Sequence, residues 1–133
     1  MRFALPCELS AVRTGAEKVS EFLVGRGCTE TEVTACQLAL VEACNNAIQY
    51  ARPGERKFPV VIDVICGAEE IEIQVTDRTA GFDWPTQTSL PDFGCERGRG
   101  LFLIRKMTDS AEYRRGEQTN TLVMRKKREA LKR

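Results

Sequence analysis

Histidine is missing from this sequence altogether. Its absence excludes a Ser-His-Asp triad, a His-bearing zinc site and a phospho-accepting histidine. Cysteines are present at 7, 28, 36, 44, 66 and 95, yet no two of them stand in a CxxC spacing. They read as reduced, mostly buried small hydrophobes rather than a disulfide framework. No apolar run approaches the roughly 20 residues a membrane span requires, and the opening MRFALPCELS is interrupted too soon by Pro6 and Glu8 to be a secretory signal. A cytoplasmic protein with no membrane partner is expected. Charge of one sign is lacking too: 20 Lys and Arg face 19 Asp and Glu. Bulk electrostatics therefore gives no reason to expect direct nucleic-acid binding. The basic ending RKKREALKR reads as a solvated terminus.

What is there suits one domain, because 133 residues at 42% hydrophobic can bury a single real core. We place that domain at residues 1–126 and a basic tail at 127–133. The hydrophobic period changes several times along the chain, as in mixed α and β structure. Residues 3–5 suit a short strand. From Ser10 the apolar positions Val12, Ala16, Val19 and Leu23 step by three and four, and Gly25 and Gly27 end that helix. Thr29 and Glu32 have capping-box spacing for a second helix, which turns Val33, Cys36, Leu40, Ala47 and Ile48 inward until the RPG at 52–54. The period then drops to two. Residues 60–66 and 71–77 predict a hairpin around GAEE. Arg78 to Arg97 has little periodicity, and a loop of that length tends to be a lid or a binding loop. A helix is expected near Gly100 with Leu101, Ile104 and Met107, then strands near 111–115 and 121–126.

Three features carry chemistry. Glu42 and Asn46 lie four apart, so on a helix they share one face. An Asn carbonyl can hold magnesium bound to nucleotide phosphates, and a Glu one turn away can take a proton from a hydroxyl. The same pair is also common on a merely exposed helix face. Asp77 falls where the alternating strand ends, with Gly81 following, so its carboxylate can accept from an exocyclic amine or simply close a turn. In ERGRGLFLIRKM, Gly98 and Gly100 precede a helix, where backbone N–H groups bind phosphate and Arg97 and Arg99 favour an anion. A lone GxG is otherwise a plain loop.

In this order the features resemble the ATP-binding domain of gyrase, histidine kinases and mismatch-repair ATPases, the Bergerat fold. Within it they are most similar to the single-domain anti-sigma factor serine/threonine kinases. The resemblance runs from about residue 5 to 126, and VEACNNAIQYA and GRGLFLIRKMTD are its most specific parts. It implies an α+β two-layer sandwich: a mixed, mostly antiparallel sheet covered on one face by about three helices. It also implies ATP and Mg2+ as cofactors. By the same resemblance Glu42 is the general base, Asn46 the magnesium ligand and Asp77 the reader of the adenine amino group. Gly81, Arg97, Gly98, Arg99, Gly100 and Leu101 would line the nucleotide, and Thr121 would lie by the adenine subsite.

Three positions depart from the family pattern. Thr79 replaces the first glycine of the DxGxG box, Tyr50 a frequent His, and Thr119 a frequent Gly. A β-branched Thr79 resists positive φ and threatens to crowd the base. Without a phospho-accepting His or room for a transducer domain, the stand-alone kinase branch is expected. That branch implies transfer of the γ-phosphate to a Ser or Thr of an anti-anti-sigma (STAS-type) antagonist, sequestration of a sigma factor, and a homodimer. Two rivals are a non-catalytic nucleotide-binding adaptor of the same fold and, through Arg114, Arg115 and the tail, a nucleic-acid binder.

Overall fold

The computed structural model describes residues 1–79 and 96–129, with backbone alone for 96–99. Along the chain run β1 (Arg2–Leu5), α1 (Val12–Gly25), α2 (Glu30–Gln49), β2 (Val60–Cys66), β3 (Glu70–Asp77), α3 (Glu96–Met107), β4 (Ser110–Arg115) and β5 (Asn120–Lys127). Short 3-10 turns at Leu9–Ala11 and Pro53–Glu55 precede α1 and β2.

The five strands form one sheet in the order β1-β2-β3-β5-β4. Every pairing among the described residues is antiparallel. Strand alternation sends Val60, Ile62 and Val64, Ile71, Ile73 and Val75, and Leu122 and Met124 to one buried face. The three helices cover that face, with α2 packed between α1 and α3. The expected two-layer sandwich is therefore what the chain forms. Small residues on α2, among them Ala39, Ala43, Cys44 and Ala47, are all buried and allow it close approach to its neighbours on several sides. The opposite face is mostly polar, with Arg125 paired to Glu72 at 2.9 Å and Arg2 near Asp63 at 3.6 Å, although it also carries the exposed Ile65 and the buried Val123. Such half-exposed pairs add solubility more than stability.

Local signals explain the helix ends. Thr29 Oγ1 accepts from the Glu32 N–H at 3.1 Å, and Glu32 Oε1 accepts from the Thr29 N–H at 2.8 Å, the reciprocal capping box. At the end of α1 only Gly27, at φ +78°, adopts the left-handed region. Its N–H bonds Val24 O and the Cys28 N–H bonds Leu23 O, each at 3.1 Å, which is a Schellman closure. Of the two glycines expected to stop the helix, the second does so.

Two boundaries move. α3 begins at Glu96, not near Gly100, so the glycines lie inside its first turns. β5 runs on to Lys127, and the base of the expected free tail is tied down. Arg128 Nη1 donates to Gly67 O at 3.0 Å, and the Glu129 N–H donates to Glu32 Oε2 at 2.6 Å. The cysteines also divide: Cys7, Cys36 and Cys44 are buried as expected, whereas Cys28 and Cys66 are only half-buried. Burial pushes the Cys44 thiol up to about 12, so it behaves as an inert hydrophobe. No helix among the described residues is long and apolar enough to cross a membrane.

Candidate nucleotide site

The capping box and the buried stripe fix the rotation of α2, and that rotation decides where Glu42 and Asn46 point. Leu40, Ala43, Cys44 and Ala47 go into the core, leaving Glu42 half-buried and Asn46 6% exposed at the edge that meets α3. Gly100 is the contact point. A Cβ added there would lie 2.9 Å from Glu42 Oε2 and 3.5 Å from Asn46 Oδ1. Glycine at position 100 thus lets α3 approach without displacing the Glu42 carboxylate.

Asn46 shows what the edge is suited to hold. Its Nδ2 is sealed from solvent and has no hydrogen-bond partner among the described residues. A buried amide N–H without a partner costs about 1–3 kcal/mol, and what would complete it is a hydrogen-bond acceptor such as a phosphate oxygen. Carboxylate and amide oxygens are also the hard donors magnesium takes. Among the described residues no cluster of three or more acidic or thiol groups could hold a metal unaided. Above this edge the first turn of α3, from Glu96, presents backbone N–H groups without intrahelical partners, a setting for phosphate. The side chains of Arg97 and Arg99 lie outside the described residues, as does Gly81, and at Gly98 only backbone is described.

The second cluster sits at the end of β3. Alternation carries Asp77 onto the helix-covered face, 6% exposed. Its Oδ1 accepts from the Thr79 N–H at 3.1 Å, Thr79 Oγ1 at 2.8 Å and Asn120 Nδ2 at 3.2 Å. Asn120, itself buried, spends its other amide hydrogen on Thr79 O at 2.8 Å. Oδ2 has no bond to a described residue, so one carboxylate oxygen is fixed by protein partners and the other is not. Thr79 keeps ordinary backbone geometry and bonds the carboxylate through both its N–H and its hydroxyl. No non-glycine residue described has positive φ, and the Thr79 hydroxyl fixes the orientation of the Asp77 carboxylate. The Cys7 thiol nearby is raised first by burial, with Arg56 opposing and Asp77 adding to the rise, so it stays neutral.

Two expected site residues go elsewhere. Thr121 pairs with Thr76, not Asp77, and therefore projects from the opposite face of the sheet. Its Oγ1 lies 3.0 Å from Thr76 Oγ1. The position beside Asp77 belongs to Asn120, one residue earlier. Because the side-chain period of a strand is two, a slip of one residue changes the face. Leu101 is a core residue, 3% exposed, whose side chain anchors α3 in the hydrophobic cluster. Sequence reading also missed a rim: Arg78 stacks over the Phe58 ring at 4.2 Å and reaches Gln118 at 3.4 Å. The approach of residues 58, 78 and 118 is a tertiary fact with no local signature.

Fold and site together describe an α+β domain with a buried carboxylate and a buried amide at the edge of its helical layer. Residues 5–126 match the histidine kinase-like ATPase domain model, and the chain belongs to that family. Among curated relatives, the serine-protein kinase RsbW of Listeria monocytogenes is 24% identical over 117 residues, covering 81% of this chain and 74% of its own length. RsbW of Bacillus pumilus is 28% identical over 97 residues, and there the match spans 65% of this chain and 60% of the relative. Two solved structures share the fold. The RsbU and RsbW domains of a Mycobacterium tuberculosis protein superpose with TM-score 0.69 at 17% identity, covering 98% of this chain and 32% of theirs. A chain of the SiaB-SiaC complex from Pseudomonas aeruginosa gives 0.64 at 13% identity, with 94% and 88% covered.

Proposed function

We propose that this protein binds ATP with Mg2+ and phosphorylates a Ser or Thr of an anti-anti-sigma, STAS-type antagonist, while sequestering a sigma factor in a partner-switching system. The observation that carries the reading is the contact of Gly100 with Glu42 and Asn46, which brings a carboxylate, an unsatisfied amide and a helix N-terminus together. The RsbW relatives, named as serine-protein kinases, support the reaction class.

In this reading Asp77 Oδ2 accepts from the exocyclic amine of adenine, and backbone N–H groups of the first turn of α3 hold the phosphates. Asn46 supplies an oxygen to Mg2+, and the ion when bound would neutralise charge on the transferring phosphate. Glu42 orients the acceptor hydroxyl and takes its proton as the oxygen attacks. Most of the work is positioning and electrostatics in a site fixed by the packing of α2 against α3. Phosphorylation adds about −1.5 to −2 charge to the antagonist, which weakens its hold on the surface it shares with the sigma factor. A homodimer is the assembly proposed, and sedimentation of the purified chain tests it.

Calorimetric titration with ATP and magnesium tests the reading, run beside Glu42→Ala and Asn46→Asp and followed by a phosphotransfer assay on a STAS-domain antagonist. Magnesium-dependent binding that survives Glu42→Ala, with transfer abolished, is expected. Binding without transfer in the wild type would make the protein a nucleotide-binding adaptor. No binding at millimolar ATP would overturn the site.

A further inference from the structure

We propose that Cys28 and Cys66 are a peroxide-oxidisable pair whose intramolecular disulfide staples the helical layer to the sheet. Their Sγ atoms lie 3.6 Å apart across 38 residues of sequence, and both side chains are half-buried, unlike Cys7, Cys36 and Cys44. This proposal is independent of the kinase reading.

The backbone holds both segments in place. Cys28 closes the Schellman turn through its N–H to Leu23 O and directly precedes Thr29, the cap of α2. Cys66 ends β2, and the next residue, Gly67, bonds Glu70 O at 2.9 Å. One guanidinium then links the residues flanking the two cysteines. Arg128 donates from Nη1 to Gly67 O at 3.0 Å and from Nη2 to Arg26 O at 3.4 Å. The thiols are thus pre-positioned, and side-chain rotation needs to close only the gap to an S–S bond of about 2.05 Å.

The chemistry assigns a role to each sulfur. Burial, then the hydrogen bond to Cys66, pushes the Cys28 thiol up to about 11, so Cys28 keeps its proton, while in the contact between the two either sulfur can donate. Cys66 sulfur attacks a peroxide oxygen and gives up its proton: an S–O bond forms, the O–O bond breaks, and the departing hydroxide takes up a proton to leave as water. Cys28 sulfur then attacks Cys66 sulfur. The S–S bond forms, the S–O bond breaks, and the second hydroxide leaves as water with the Cys28 proton. Two thiols lose two electrons and two protons, and the peroxide becomes two waters. Cys36, buried and raised to about 12, stays out of the exchange.

The test is hydrogen peroxide treatment of the native protein, alkylation of remaining thiols and peptide mapping by mass spectrometry, with melting curves before and after dithiothreitol. The expected result is a Cys28–Cys66 cross-linked peptide, reversed by dithiothreitol, with Tm higher by roughly 5–10 °C in the oxidised form. In Cys28→Ser the expected product is a dimedone-trapped sulfenic acid on Cys66. The proposal is overturned if Cys66 in the wild type proceeds to sulfinic acid without a cross-link, or if both thiols stay free under conditions that oxidise the urea-unfolded chain. A cross-link without a rise in Tm overturns the stapling role.

Discussion

Asn120 stands directly opposite Asp77 in the β3–β5 pairing and donates to its Oδ1 at 3.2 Å while also holding Thr79 O at 2.8 Å. One buried amide therefore fixes both the carboxylate proposed to read adenine and the first residues beyond the strand. Asn120→Ala removes both bonds and is expected to destabilise the fold by about 1–3 kcal/mol. In the proposed site it also lowers ATP affinity about tenfold, with less effect on a nucleotide that presents an oxygen in place of the amine. Parallel titrations of ATP and inosine triphosphate check this, because a purely structural loss lowers both equally.

Gly100→Ala separates stability from chemistry. The new methyl would meet Glu42 Oε2 at 2.9 Å, and that oxygen is the far end of a flexible side chain that can swing aside. Helix propensity favours alanine by about 1 kcal/mol, so the melting temperature is expected to hold or rise. Phosphotransfer is expected to fall at least about tenfold, because the displaced carboxylate is the proposed base. A melt and a transfer assay on the same sample decide it.

Glu32 makes acid stability predictable. Burial raises its carboxyl, but the Thr29 and Glu129 N–H groups and the Arg128 charge outweigh burial and leave the group below its ordinary 4.5. A depressed carboxyl contributes stability that is complete above the unfolded value and is lost as pH falls through the folded one. Glu32→Gln is therefore expected to cost about 1–3 kcal/mol at neutral pH and to flatten the loss of stability below pH 4.5. Urea melts across that range measure both effects.

Ile104 is fully buried where α3 meets the core. Ile104→Ala is expected to cost about 2–5 kcal/mol, read from a denaturant midpoint at unchanged slope.

Periodicity and caps made much of this protein legible from its residues. The apolar steps of Val12, Ala16, Val19 and Leu23, the Thr29–Glu32 box and the alternation of Ile71, Ile73 and Val75 each involve neighbours in sequence, where backbone geometry sets the spacing. For the same reason the Glu42–Asn46 pair could be placed on one helical face. Tertiary structure decided what depends on distant partners. Only pairing with Thr76 sends Thr121 to the far face and gives Asn120 to Asp77, because register is fixed between strands and not within one. Only the approach of α3 shows that Gly100 serves contact with Glu42, and only the Schellman turn beside the end of β2 brings Cys28 to Cys66. Local patterns decide which elements form, and packing across long sequence separations decides which side chains meet.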